Sequence, residues 1–136
     1  MADHPVLAID YGDARIGVAA TDEFAIAAHA VETVKNDEAA VARLVELIKG
    51  RRVQTVVMGL PLRMDRSEGT SAEKVRAFAA RLQQEIPELP LQFHDESFTT
   101  QTAAEKLRQG GKNAKQQKAI IDQAAALEIL NDYLGW

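Results

Sequence analysis

The segment Val6 to Ile9 is continuously apolar and stops on a carboxylate, Asp10. A strand with one wet face alternates apolar and polar residues. A run with no polar residue at either parity needs cover on both faces, so it belongs inside a sheet flanked by two layers. Gly12 and Asp13 follow with turn chemistry, and Ile16, Val18 and Ala20 then alternate with smaller or polar neighbours. This pattern predicts a hairpin. The Ile26 to Val34 stretch continues it as a third strand, giving an antiparallel meander.

The remaining chain alternates helix and strand signals. Asn36 is placed to cap a helix whose apolar stripe is Val41, Leu44, Val45 and Ile48. Val53 to Gly59 reads as a second interior strand. Thr70 and Glu73 have capping-box spacing ahead of Val75, Phe78, Ala79, Leu82 and Ile86, with Pro87 and Pro90 bracketing the helix exit. Leu91 to His94 alternates as a short strand. Thr99 or Thr100 opens a helix that closes at Gly110-Gly111, and a last helix carries Ile120, Ala124, Leu127 and Leu134 on one stripe. This order predicts an α/β fold with a mixed five-stranded sheet. Its first three strands are antiparallel, its first, fourth and fifth parallel, and helices cover both faces. No repeat or linker interrupts residues 1–136, so one domain is expected. Ligands of such sheets lie beyond the carboxyl ends of the parallel strands.

Composition removes several function classes. The chain has no cysteine, which excludes disulfide scaffolds and thiolate metal sites and is compatible with a reducing cytoplasm. No apolar run approaches a membrane span, and the N-terminus lacks the basic region of a signal peptide. The formal net charge of −4 argues against gripping nucleic acid by bulk charge. That count omits bound metals, however, and carboxylates gathered around divalent cations make a chain look acidic.

Three acidic positions converge under this topology. Asp10 ends the first strand, Asp95-Glu96 ends the last one, and Asp122 lies in the final helix beside Ala125 and Ala126, whose small side chains allow close approach to the sheet. Carboxylates from three distant segments can hold one or two Mg²⁺ or Mn²⁺ ions and support phosphodiester hydrolysis. Singly, each has a plainer reading: Asp10 as a turn residue, Glu96 as a complement to a helix dipole, Asp122 as a solvated helix position. Cations surround the same edge. Lys115 and Lys118 are spaced to share a helix face with Asp122, Lys112 extends that patch, and Arg63 and Arg66 follow the fourth strand. They are candidate phosphate contacts or an ordinary solvated surface. Arg15 is a phosphate contact or a partner for Asp10. His4, His29 and His94 lack ligand partners at useful spacing, and Trp136 reads as a packing residue.

The strings AIDYGDARIGVAATD, VVMGLPLRMDRSEGTSAEKVRAFAARL, DESFTTQTAAEKL and IDQAAALEIL resemble, in order and separation, the four blocks of the YqgF family, also called RuvX. The resemblance spans nearly the whole chain. It implies a ribonuclease H-like fold and a cytoplasmic bacterial nuclease, either a Holliday junction resolvase or an enzyme maturing the 5′ end of precursor 16S ribosomal RNA. The family's acidic positions fall on Asp10, Glu96 and Asp122. The chain departs from the family pattern at Ser97, Arg66 and Ala14, where Arg, Gly and a basic residue are usual; none is a proposed ligand.

The expected activity is therefore that of a hydrolase, a Mg²⁺- or Mn²⁺-dependent nuclease in rRNA processing, ribosome biogenesis or DNA recombination. Its partner is precursor rRNA or branched DNA, and junction resolution would call for a homodimer. The alternatives are a non-catalytic nucleic-acid-binding module and an actin-like ATPase. The ATPase shares the Asp-x-Gly turn but needs two enclosing domains.

Overall fold

The computed structural model describes residues 3–24, 26–62, 65, 67–96 and 114–136, the side chains of 96 and 114–119 excepted. Strands β1 (Val6–Tyr11), β2 (Arg15–Thr21) and β3 (Ala28–Lys35) form the meander. Helix α1 (Ala40–Gly50), strand β4 (Thr55–Pro61), helix α2 (Thr70–Glu85) and strand β5 (Leu91–Glu96) follow, and helix α3 (Ala114–Leu134) ends the fold. The sheet order is β3-β2-β1-β4-β5. β1 pairs antiparallel with β2, as does β2 with β3, while β1–β4 and β4–β5 are parallel. The expected mixed sheet, with β1 near its centre, is the one observed.

Side-chain alternation explains why β1 has no polar parity. Leu7 and Ile9 point into one core with Ile16, Val18, Val56 and Met58 of the sheet and Leu44, Ile48, Val75, Phe78 and Leu82 of α1 and α2. Val6 and Ala8 point the other way, into a smaller core with Ala19, Val57, Ala126, Ile129 and Leu130. Each helical layer claims one parity of the strand. Leu82 is fully buried, and Leu82→Ala is expected to cost about 2–5 kcal/mol in urea unfolding, through lost transfer energy and the cavity left behind.

Four local expectations need correction. Asn36 does not cap α1; its Nδ2 donates instead to the carbonyl of Gly12 at 2.8 Å, and α1 starts at Ala40 without a side-chain cap. Thr70 is the first residue of α2, behind Gly69, and makes no capping hydrogen bond. β4 starts at Thr55 rather than Val53 and runs on to Pro61; ahead of it the Gln54 amide bonds the Pro5 carbonyl at 2.8 Å. Among the described side chains of α3, the fully buried ones are Ala125, Ala126, Ile129 and Leu130, while Ile120, Ala124, Leu127 and Leu134 are half-buried. The helix opening at Thr99 or Thr100 and closing at Gly110-Gly111 lies outside the described residues.

α1 is tied to the meander by Arg43, whose Nη2 and Nε donate to Glu32 at 2.6 and 2.8 Å. Hydrogen bonding to Arg43 holds the Glu32 carboxyl below its ordinary value of 4.5. A depressed carboxylate stabilises the fold above its unfolded pKa, and this contribution is lost as pH falls through the folded one. Glu32→Gln should therefore melt below wild type at pH 7, and the gap should close in melting curves taken near pH 3.

Candidate active site

The site is built around a close approach of α3 to β2. Val6, Ala8 and Asp10 share one parity of β1, and the first two pack in the α3-side core, so Asp10 stands on the α3 face at the end of a buried strand. Its cross-strand partner is Gly17. A Cβ built on Gly17 would lie 1.9 Å from the carbonyl oxygen and 2.4 Å from the carbonyl carbon of Asp122. Only a residue without a side chain lets the helix backbone come this near. Asp122 is thus seated directly over the strand position that pairs with Asp10.

Polar contacts hold that seat. Arg15, two residues before Gly17 and on the same side of β2, donates through Nε to Asp122 Oδ2 at 2.8 Å. The Asp122 side chain is 18% exposed and that of Arg15 37%. Gln123 Nε2 donates to Thr33 Oγ1 at 3.1 Å, and Thr33 pairs with Gly17 from β3. At the far end of the helix, Tyr133 bonds Gln92 and Asp132 bonds His94, so β5 presents Gln92 and His94 to α3. Glu96 occupies the next alternate position of that series, at the strand end opposite Pro61. Extending the register from Ile9–Met58 and Gly59–His94 puts Asp10 level with His94. Glu96 therefore stands two residues further along and two strands away, about 10 Å across the sheet.

The turn before Arg15 is equally tight. A Cβ on Gly12 would lie 2.5 Å from the Arg15 carbonyl oxygen. Together with the Asn36 amide on the Gly12 carbonyl, this fixes where β2 begins and so where Arg15 stands.

The sequence-derived residues divide accordingly. Asp10 and Asp122 are brought to one face, and Glu96 ends β5, two strands away from Asp10 in the sheet. Among the described residues no three His, Cys, Asp or Glu side chains are grouped closely enough to hold a metal; the Glu96 side chain lies outside that set. Arg15 faces Asp122, a partner not anticipated for it. Arg63, Arg66 and Lys112 lie outside the described residues, as do the side chains of Lys115 and Lys118, whose backbone forms the first turns of α3.

Two features of the site lie outside the sequence-derived set. Gly17 was the first, although a lone glycine inside a strand is a sign of close backbone approach. The second is Lys35, exposed and paired with Arg15 across β2–β3, which puts two cations side by side on the α3 face. The opposite layer is different: a groove of about 530 Å³ between α1 and α2 is lined by Glu38, Glu46 and Glu85 around Val41 and Val45, with Arg81 at its side.

Comparison with known proteins decides the family. The family model described as "RuvX: Holliday junction resolvase" matches residues 4–135. The chain belongs to the RuvX family. Among curated RuvX relatives, a protein of Cutibacterium acnes is 44% identical over 94% of this chain and 80% of its own length. Another, from Streptomyces avermitilis, is 45% identical over 94% and 83%. Both carry the description "Putative pre-16S rRNA nuclease". Solved structures extend the likeness in fold. RuvC of T. thermophilus in complex with a Holliday junction substrate superposes with a TM-score of 0.54 at 17% identity, covering 96% of each chain. The Fowlpox virus resolvase in complex with Holliday junction DNA does so at 0.57 and 8% identity, covering 96% of this chain and 97% of its own. The ribonuclease H-like fold expected for the RuvX family is the fold observed.

Proposed function

We propose that this RuvX-family chain is a divalent-metal-dependent nuclease that hydrolyses phosphodiester bonds, with Asp10, Glu96 and Asp122 as its catalytic carboxylates and metal ligands. The observation that carries the proposal is the seating of the Asp122 main chain on Gly17, the strand partner of Asp10, which brings an acidic helix residue over the same stretch of sheet. The donor set fits the ion. It consists of carboxylates, hard oxygen donors suited to Mg²⁺ or Mn²⁺, in a chain without thiolates. One or two such ions, when bound, supply an activated water and neutralise charge on the scissile phosphate.

The chain's own groups do the rest. Asp10, on a strand buried from both sides, is a rigid anchor. Asp122 is held at a fixed height by backbone contact, and Glu96 completes the edge. Arg15 and Lys35, with Lys112 just before α3 in sequence, Lys115 and Lys118 in its first turns and Arg63 and Arg66 following β4 in sequence, are suited to hold backbone phosphates and orient the strand to be cut.

Relatives at 44–45% identity named for precursor 16S rRNA favour that RNA as the substrate, and 5′-end maturation in the bacterial cytoplasm is the form of the reaction we propose. The family description favours Holliday junction resolution as a second reading, and that would require a homodimer presenting two sites. The test is parallel cleavage of a 5′-extended precursor rRNA and a four-way DNA junction in Mn²⁺ or Mg²⁺, wild type against Asp10→Asn, with oligomeric state measured in the same buffer. Metal-dependent cleavage lost in Asp10→Asn is expected. Binding of either nucleic acid with no cleavage would instead mark a non-catalytic module.

A further inference from the structure

We infer that Arg15 is a built-in substitute for the metal: its guanidinium occupies Asp122 while the ion is absent and is displaced to the substrate phosphate when the ion enters. The inference rests on the proposed metal site and assigns a residue that the site's ligand set does not contain.

Three observations lead to it. First, Arg15 Nε lies 2.8 Å from Asp122 Oδ2, a charge-assisted hydrogen bond on a carboxylate of the proposed ligand set. Second, Arg15 is fixed at its root and partly exposed at its tip. The Gly12 turn and the Asn36–Gly12 bond set its backbone, while its side chain is 37% exposed and has room to swing. Asp122 cannot make the complementary move, because its main chain rests on Gly17. Any rearrangement on metal entry therefore falls to the arginine. Third, the position next to Arg15 on β3 is Lys35. A guanidinium released from Asp122 stands beside another cation, an arrangement that suits a phosphate and is unfavourable for an empty surface.

The physical logic is charge balance. Asp122 carries its counter-charge within the chain, in the guanidinium of Arg15. A divalent ion then competes with Arg15 for one carboxylate and repels it as a like charge, so metal affinity is lowered by the internal competitor. Because the displaced guanidinium becomes available to substrate, metal binding and nucleic-acid binding should each favour the other.

The test uses Mn²⁺ alone, titrated by calorimetry into metal-stripped full-length protein, with melting curves in EDTA and in saturating Mn²⁺. Arg15→Gln should bind Mn²⁺ more tightly than wild type, by roughly three- to tenfold, the worth of a part-exposed ion pair. It should also melt below wild type in EDTA, with the gap narrowing in Mn²⁺. Arg15→Lys, which keeps the charge but not the planar donor, should lie between the two, and it serves as the test variant should Arg15→Gln not fold. A purely structural arginine would give the opposite sign, since loosening the site weakens metal binding. Unchanged or weaker Mn²⁺ affinity in the Arg15 variants, with binding still lost in Asp122→Asn, would overturn the inference and leave the metal site standing. Equal Mn²⁺ affinity in wild type and Asp122→Asn would remove Asp122 from the metal site and the inference with it.

Discussion

Gly17→Ala is expected to unseat α3 and to lower stability by about 3 kcal/mol, beyond the middle of the range for overpacked sites. A single methyl group added at this position meets the Asp122 carbonyl at 1.9 Å. The obstacle is not the far end of a flexible side chain but a main-chain group whose oxygen belongs to the hydrogen-bond ladder of α3. The helix can yield only by moving as a body. That strains Gln123–Thr33 and Arg15–Asp122 and opens the packing of Ala126 and Leu130 on Ala8 and Ala19. For a chain of this size the loss corresponds to a fall of roughly 10 °C in melting temperature. Calorimetric melting checks the stability, and Mn²⁺ titration of the folded fraction checks the site, which should bind weakly once Asp122 is lifted. An alanine variant that melted with wild type would mean that α3 does not rest on β2 at this residue.

The second large effect is on chemistry. Asp10→Asn should abolish metal-dependent cleavage, by about a thousandfold or more, the rate equivalent of losing roughly 4 kcal/mol of transition-state stabilisation. The substitution is nearly isosteric and leaves the apolar run Val6 to Ile9 untouched, so the fold should survive. Far-UV circular dichroism and melting measured beside the cleavage assay separate the two readouts. Full cleavage by Asp10→Asn would remove Asp10 from the chemistry. Adding Mn²⁺ in excess should not restore the activity, because the amide cannot supply the missing negative charge.

How much of this was legible beforehand follows from the range of each signal. The interior position of β1 was readable because the absence of polar residues at both parities has one structural solution. The parallel neighbours followed from the helix–strand alternation. Helix starts were less readable. Asn36 looks like a cap in sequence, yet its amide is claimed by the Gly12 carbonyl, a partner that exists only once the meander closes. The buried face of α3 was misread because the helix lies on small strand residues. Its polar positions Asp122 and Gln123 turn toward the sheet, where they find Arg15 and Thr33. For Arg15, nearness in sequence pointed to Asp10, whereas the observed salt-bridge partner comes from the opposite end of the chain. The strand that carries Asp10 to the sheet edge was legible in the sequence; the main-chain contact that seats Asp122 was signalled there only by a lone glycine inside a strand.

The seat of α3 has a further consequence. Gly17, Ala8, Ala19, Ala125 and Ala126 have no side-chain torsions to adjust, and four of the five are alanines with nothing left to trim but one methyl. An ordinary core adapts to a changed neighbour by switching rotamers, so small errors are absorbed and shared. Here main chain rests almost directly on main chain, and no such slack exists. The spacing between helix and strand works like a machined shim, set by main-chain contact rather than by rotamer choice. It has one direction of failure: nearly every substitution in the seat adds thickness, and thickness there is read out at Asp122.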